Sequence, residues 1–112
     1  MRQCLALDLK DDPESIARYE AHHERIWPQI AAHLRGQGVT AMEIYRIGNR
    51  LTMVMETDDA VFDAARMQAA SLADPKVVEW EALMDTFQQP TPWSEPGTKW
   101  TPMARIFDLA RQ

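Results

Sequence analysis

Residues 19–30 read YEAHHERIWPQI and concentrate the groups able to move a proton near neutral pH. Imidazole, with an ordinary pKa of about 6.5, is the side chain best suited to accept and return a proton there. Tyr19 lies four residues before His23, and Trp27 lies four after it. On a helix, positions i and i+4 are neighbours on one ridge, so the phenol and the imidazole would point the same way. His22 is turned about 100° from His23 toward the flank, where it reads as a solvated bystander. Two readings of His23 stand side by side. It is either a hydrogen-bonded core histidine or an acid/base facing a polar ligand. Tyr19 favours the second, because burying a phenol and an imidazole without partners is costly. His33 would sit roughly 80° round from His23 even on an unbroken helix, and it reads as an exposed or half-buried helix residue. These histidines and scattered acids fall short of a metal signature.

Four tryptophans are many for this chain. Trp27 reads as core. Trp80 lies on a helix face between Glu79 and Glu81. Trp93 and Trp100 belong to QQPTPWSEPGTKW, residues 88–100, whose three prolines and one glycine predict a loop. Aromatic faces stack on the C–H-rich faces of sugars and exclude water, so Trp93 or Trp100 is expected to close over the site. No Gly-rich phosphate loop, nucleophile elbow or P-loop lysine is present, which leaves phosphoryl transfer and serine hydrolysis without support.

A chain of 112 residues fits a single domain, residues 1–112. The net charge of −5, with no basic stripe, argues against nucleic acid as a partner and leaves a neutral substrate open. The single cysteine, Cys4, rules out an intrachain disulfide and a four-cysteine zinc site. The N-terminal apolar run is broken by Asp8, and no apolar run approaches about 18 residues. A cytoplasmic protein with no membrane partner is expected.

The elements that must position these groups follow from periodicity. Residues 2–10 alternate as a strand with Leu5, Leu7 and Leu9 on one face. Asp12 and Pro13 start a helix running to about Trp27, where Pro28 interrupts it. A second helical piece spans 28–36 and ends near Gly36 and Gly38. Residues 39–47 and 50–57 form a hairpin about Gly48-Asn49. Helices are predicted over 58–71, capped by Asp58 or Asp59, and over 73–87, capped by Asp74. Residues 103–109 read as the last strand. The order β-α-β-β-α-β predicts an α+β, ferredoxin-like, four-stranded antiparallel sheet with helices on one face. The other sheet face also carries apolar residues and needs a cover, so a homodimer is expected.

The segment RYEAHHERIWPQI resembles the N-terminal signature of the L-rhamnose mutarotases: Tyr, three residues, His, then Ile-Trp-Pro. The hairpin EIYRIGNRLTMVMET, the helix DPKVVEWEALM and the C-terminal IFDL fit in order, so the resemblance covers nearly the whole chain. It implies a dimeric α+β barrel that interconverts sugar anomers without cofactor or metal. It also implies that Tyr19 binds substrate, that His23 is the proton donor, and that Trp80 is the second residue of a substrate-binding Trp-Trp pair. Two positions depart from the pattern: Glu79 replaces the first tryptophan, and Met42 replaces a substrate-contacting tyrosine. The loop PTPWSEPGTKW is more similar to the related L-fucose mutarotase branch, which makes a 6-deoxyhexose, L-fucose before L-rhamnose, the expected substrate. With that loop, Trp93 joins Tyr19 and Trp80 as an expected substrate contact. Ring opening needs a proton delivered to the ring oxygen and one removed from the anomeric hydroxyl, which a single histidine can do. Burial would lower the pKa of His23, and a carboxylate such as Glu43 or Glu79 would raise it. Two other function classes are compatible with the fold: a dimer that binds a small ligand without catalysis, and a cofactor-independent monooxygenase, the latter by analogy of fold alone.

Overall fold

The structure, a computed structural model, describes residues 1–112. Strand β1 (Arg2–Leu9) is followed by helices α1 (Pro13–Glu24) and α2 (Pro28–Gly36). The hairpin β2 (Val39–Ile47) and β3 (Arg50–Thr57) comes next. Helices α3 (Ala64–Ala73) and α4 (Pro75–Asp85) then lead to two short strands, β4 (Gln88–Gln89) and β5 (Thr101–Pro102). The antiparallel sheet has the order β2-β3-β1-β4, with β5 also paired to β1. This is the expected ferredoxin-like arrangement.

Strand alternation sorts the sheet into two faces. The register sets Leu7 opposite Leu51 and Leu5 opposite Met53. It sets Ile44 opposite Met53 and Met42 opposite Met55. These residues face the helices, which cover them with Tyr19, Ile30, Leu34, Val77, Trp80 and Met84. The opposite face carries Cys4, Ala6, Val54, Tyr45 and Ile47, and no helix covers it. Tyr45 and Ile47 are 57% and 81% exposed.

Pro28 breaks the first helical stretch where the sequence predicts. Trp27, the residue before it, takes extended geometry with ψ 136°, because the proline ring disfavours helical backbone there. The break turns the Trp27 ring edge-on against Trp80, with ring centroids 5.1 Å apart.

Two expected elements are placed differently. Helix α3 begins at Ala64 rather than at residue 58, and its cap is Asp63, which accepts from the Arg66 amide at 2.9 Å. Asp58 instead accepts from the amide of Ala60, closing a tight turn that delays the helix. The turn lays the backbone of Phe62 against Gly38, where a Cβ would come within 2.9 Å of the Phe62 nitrogen. The fourth strand is not residues 103–109. Gln88 and Gln89 fill that position, paired with Leu9 and Asp8 directly after α4. Beyond Pro102 only the Met103 amide reaches the sheet, at the Cys4 carbonyl. Residues 103–108 then run outside it, with Ile106 95% exposed.

The segment between β4 and β5 is a loop, as expected, but an ordered one. The hydroxyls of Thr91, Ser94 and Thr101 form a chain of hydrogen bonds at 2.9 and 2.7 Å. No helix is long and apolar enough to cross a membrane.

Candidate active site

Tyr19 and His23 share the inward ridge of α1, with ring centroids 4.3 Å apart. The Nδ1 of His23 is 2.8 Å from the Tyr19 carbonyl oxygen, one turn back. A carbonyl only accepts, so Nδ1 must carry the proton and the neutral ring keeps its lone pair on Nε2. That nitrogen makes no hydrogen bond to the protein. Burial lowers the pKa of His23; the hydrogen bond to Tyr19 works against this, and neighbouring His22 adds to the lowering. Neither carboxylate expected to raise it bears on it. Glu43 projects from β2 on the open sheet face, where it accepts from Tyr45 at 2.8 Å. Glu79 is exposed and pairs with Lys76 at 3.2 Å. At neutral pH the ring is therefore uncharged and its Nε2 is a base.

His23 stands where two cavities meet. The inner one, about 280 Å³, lies between the helices and the sheet. Its polar lining is Tyr19, His23, Glu81 and Gln88, with Trp80 and Trp100 beside them. Its remaining wall is apolar and rich in methionine: Met42, Met53, Met55, Met67 and Met84, with Ile44 and Leu34. The outer cavity, about 480 Å³, runs between the first two helices and β2 and shares His23, Ile26, Leu34, Met42 and Ile44 with the inner one. Together they form a cleft with a polar, aromatic side and an apolar side, the usual composition of a small-molecule site.

The phenol of Tyr19 is buried, and burial raises its pKa; a hydrogen bond from Gln88 opposes this and the charge of Glu81 reinforces it. The phenol therefore stays protonated. Gln88 Nε2 donates to the Tyr19 oxygen at 3.2 Å. The phenol's own proton is given to no protein group. Glu81 and Asp85 both hold Lys99, at 2.5 and 2.7 Å. Burial alone would lower the pKa of Lys99, but these two carboxylates outweigh it and the pKa is raised. This clasp fixes the loop to α4 and sets Trp100 against the cavity.

Trp80 lies in the cavity wall and is 6% exposed. Trp93 does not reach the same chain's cavity. It stacks over the Arg50 guanidinium, 4.8 Å from the ring centroid, and is 71% exposed. Arg50 projects from the open sheet face, where it forks onto the buried carboxylate of Asp8 at 2.8 and 3.1 Å. Trp93 is the expected substrate contact, yet of the two loop tryptophans it is Trp100 that lines the inner cavity of the same chain. The two rings lie on opposite sides of the sheet, Trp93 with Arg50 on the open face and Trp100 at the inner cavity. His22 is half-buried rather than solvated, its ring 5.6 Å from that of Phe87 and 6.4 Å from that of Trp80, and it lines neither cavity. His33 tethers α2 to α3 by donating from Nε2 to Ser71 Oγ at 2.9 Å. The sequence reading did not single out Gln88. A glutamine at the head of a Pro-rich loop carries no signal until its strand is paired.

Residues 2–109 match the family model described as L-rhamnose mutarotase. An L-fucose mutarotase of Xanthomonas campestris pv. campestris is 42% identical over 111 residues, covering 97% of this chain and 88% of that protein. An L-rhamnose mutarotase of Acidiphilium cryptum is 26% identical, covering 94% and 96%. In three dimensions the chain is similar to the crystal structure of an L-rhamnose mutarotase from Formosa agariphila. The TM-score is 0.70 over 97% of this chain and 98% of that one, at 19% identity, a likeness of fold.

Proposed function

The chain belongs to the L-rhamnose mutarotase family, and from that premise we propose that it interconverts the α and β anomers of L-fucose in preference to L-rhamnose, with His23 moving the proton. It is an isomerase of the sugar-mutarotase class. The observation that carries the catalytic assignment is the pinned tautomer of His23: Nδ1 is tied to the Tyr19 carbonyl and Nε2 is left at the junction of the two cavities.

The chemistry follows from that geometry. Neutral His23 accepts the proton of the anomeric hydroxyl at Nε2 as the bond from the anomeric carbon to the ring oxygen breaks. The resulting imidazolium returns the proton to the ring oxygen, giving the open-chain aldehyde. Rotation about the bond to the carbonyl carbon presents its other face, and the same steps in reverse close the ring as the opposite anomer. One proton shuttles and nothing is consumed. Tyr19, protonated throughout, donates a hydrogen bond to the sugar. Trp80 and Trp100 stack on its C–H faces, and the methionine-rich wall receives the C6 methyl of a 6-deoxyhexose.

The preference for L-fucose is supported by the greater identity to the relative named for that sugar, 42% against 26%. It is further supported by Met42, which lines both cavities at the position the family resemblance gives to a substrate-contacting tyrosine. A missing hydrogen bond of this kind is worth about 1–3 kcal/mol when the sugar hydroxyl is left unpaired. Saturation-transfer NMR on the two sugars side by side tests this. Faster enzyme-dependent exchange of L-fucose is expected, and faster exchange of L-rhamnose refutes the preference. The working form is proposed to be a homodimer packed through the uncovered sheet face. Light scattering should give twice the chain mass, and a stable monomer at micromolar concentration counts against it.

A further inference from the structure

Gln88 begins β4, opposite Leu9 and on the helix-facing side of the sheet. Its Nε2 donates to the Tyr19 hydroxyl at 3.2 Å. Its Oε1 is buried with no hydrogen-bond partner, the single such side-chain atom in the structure, and the residue lines the inner cavity. Folded proteins seldom leave a buried acceptor unpaired, because its lost contact with water is not repaid. Exchanging the two ends of the amide does not remove the problem. The carbonyl would then take the Tyr19 proton, and the amino end would face the cavity unpaired. Either way, one end of this amide is without a partner in the protein. Asn49, by contrast, is a loop amide spent on the fold, its Nδ2 donating to the Leu9 carbonyl at 3.0 Å.

Two neighbouring residues of the cavity lining thus carry unspent groups of opposite sense. The Tyr19 O–H, having accepted from Gln88, has its proton to give. The Gln88 carbonyl has an acceptor to fill. Adjacent ring hydroxyls of a sugar match this pair, one accepting while its neighbour donates. Resting on the mutarotase reading, we propose that Gln88 is a substrate-binding and specificity-determining residue. Its Oε1 accepts from one ring hydroxyl of the 6-deoxyhexose, and its Nε2 holds the Tyr19 phenol with the proton directed at the adjacent sugar oxygen. A sugar lacking that hydroxyl, or carrying it on the other face, leaves the buried carbonyl unpaired, and sites built this way discriminate strongly.

The test measures anomer exchange by saturation-transfer NMR for L-fucose and its 2-, 3- and 4-deoxy analogues. Wild type is compared with Gln88→Met, which keeps the length of the side chain and removes both polar ends. Gln88→Met should raise KM for L-fucose about ten- to a hundredfold. One of the three deoxy sugars should be handled alike by variant and wild type, since wild type has already lost that contact. An unchanged KM for L-fucose, or the same wild-type-to-variant ratio for all three deoxy sugars, overturns the proposal and leaves Gln88 a packing residue. Should Gln88→Met fail to fold, Gln88→Asn withdraws the acceptor by one methylene and keeps an amide in place. It must show the same selective loss, and wild-type KM values for it overturn the proposal. Absence of exchange with wild type would sink the mutarotase reading instead. Quenching of tryptophan fluorescence by the same four sugars then tests Gln88 on binding alone, with the same selective pattern expected.

Discussion

His23→Asn separates the two readings of the paired histidines. Asparagine retains a polar group on the same ridge beside Tyr19 but has no nitrogen that titrates near neutral pH. Loss of a positioned acid/base typically costs about 10²–10⁴-fold in rate, a barrier increase of about 3–5 kcal/mol. The assay is saturation transfer between the anomeric protons, at enzyme concentrations where exchange in wild type far exceeds the uncatalysed rate. The pH dependence supplies a second, independent readout. Burial holds the pKa of folded His23 below 6.5, and in the proposed mechanism the neutral ring is the active form. Exchange should therefore be flat through neutral pH and fall as the pH drops through the folded pKa, with a midpoint below that of a free imidazole. Stability carries the same sign. Below pH 6.5 the unfolded chain binds a proton that folded His23 resists, so His23 costs the fold stability as the pH falls from 6.5 to its folded pKa. His23→Asn should remove that part of the acid sensitivity. His22→Asn should cost some stability through its contacts with Phe87 and Trp80 and leave exchange unchanged. If His23→Asn unfolds the protein, the core-histidine reading has won. If it folds and exchanges anomers at the wild-type rate, the catalytic assignment is wrong.

Trp100→Ala should raise KM for the sugar, because it removes one side of the cavity, while Trp93→Ala should leave KM unchanged and weaken self-association if the open face is the dimer surface; KM values and light scattering on both variants check this. Gly38→Ala should lower unfolding free energy by about 1–3 kcal/mol, since its φ of +98° is unfavourable for an alanine and the new Cβ would press on the Phe62 backbone; denaturant titration with an unchanged slope measures it, and a loss near zero means the turn at 58–62 relaxes.

Local signals made much of the fold legible. The alternation of β1, the Gly48-Asn49 hairpin and the Pro28 break each act within a few residues, and each is where the sequence places it. The errors share a cause. Asp58, Asp59 and Asp63 are all competent caps by residue type, but Asp58 is spent on the turn through Ala60, and that turn packs on Gly38, far away in sequence, so the helix waits for Asp63. The apolar pattern of residues 103–109 is a real strand signal, but α4 delivers Gln88 and Gln89 to the open edge of β1 first. A two-residue strand leaves no periodicity to read.

The site divides along the same line. Tyr19 and His23 were legible as a pair because a single helix turn joins them. Gln88 lies 69 residues from the phenol it holds, so no spacing rule links the two. The two departures from the family pattern show what topology adds to residue identity. By sequence alone Met42 and Glu79 weigh equally against a rhamnose-type contact set. In the fold, Glu79 precedes Trp80 by one residue and is therefore turned about 100° round α4, outward to Lys76. Met42 has the opposite fate: strand alternation turns it inward, onto both cavities at His23. A change at residue 79 alters a solvated ion pair, worth little in this setting, whereas a change at residue 42 alters the lining of both cavities. Of the two departures, then, Met42 and not Glu79 is placed to bear on the proposed choice of sugar, since only Met42 lines the cavities.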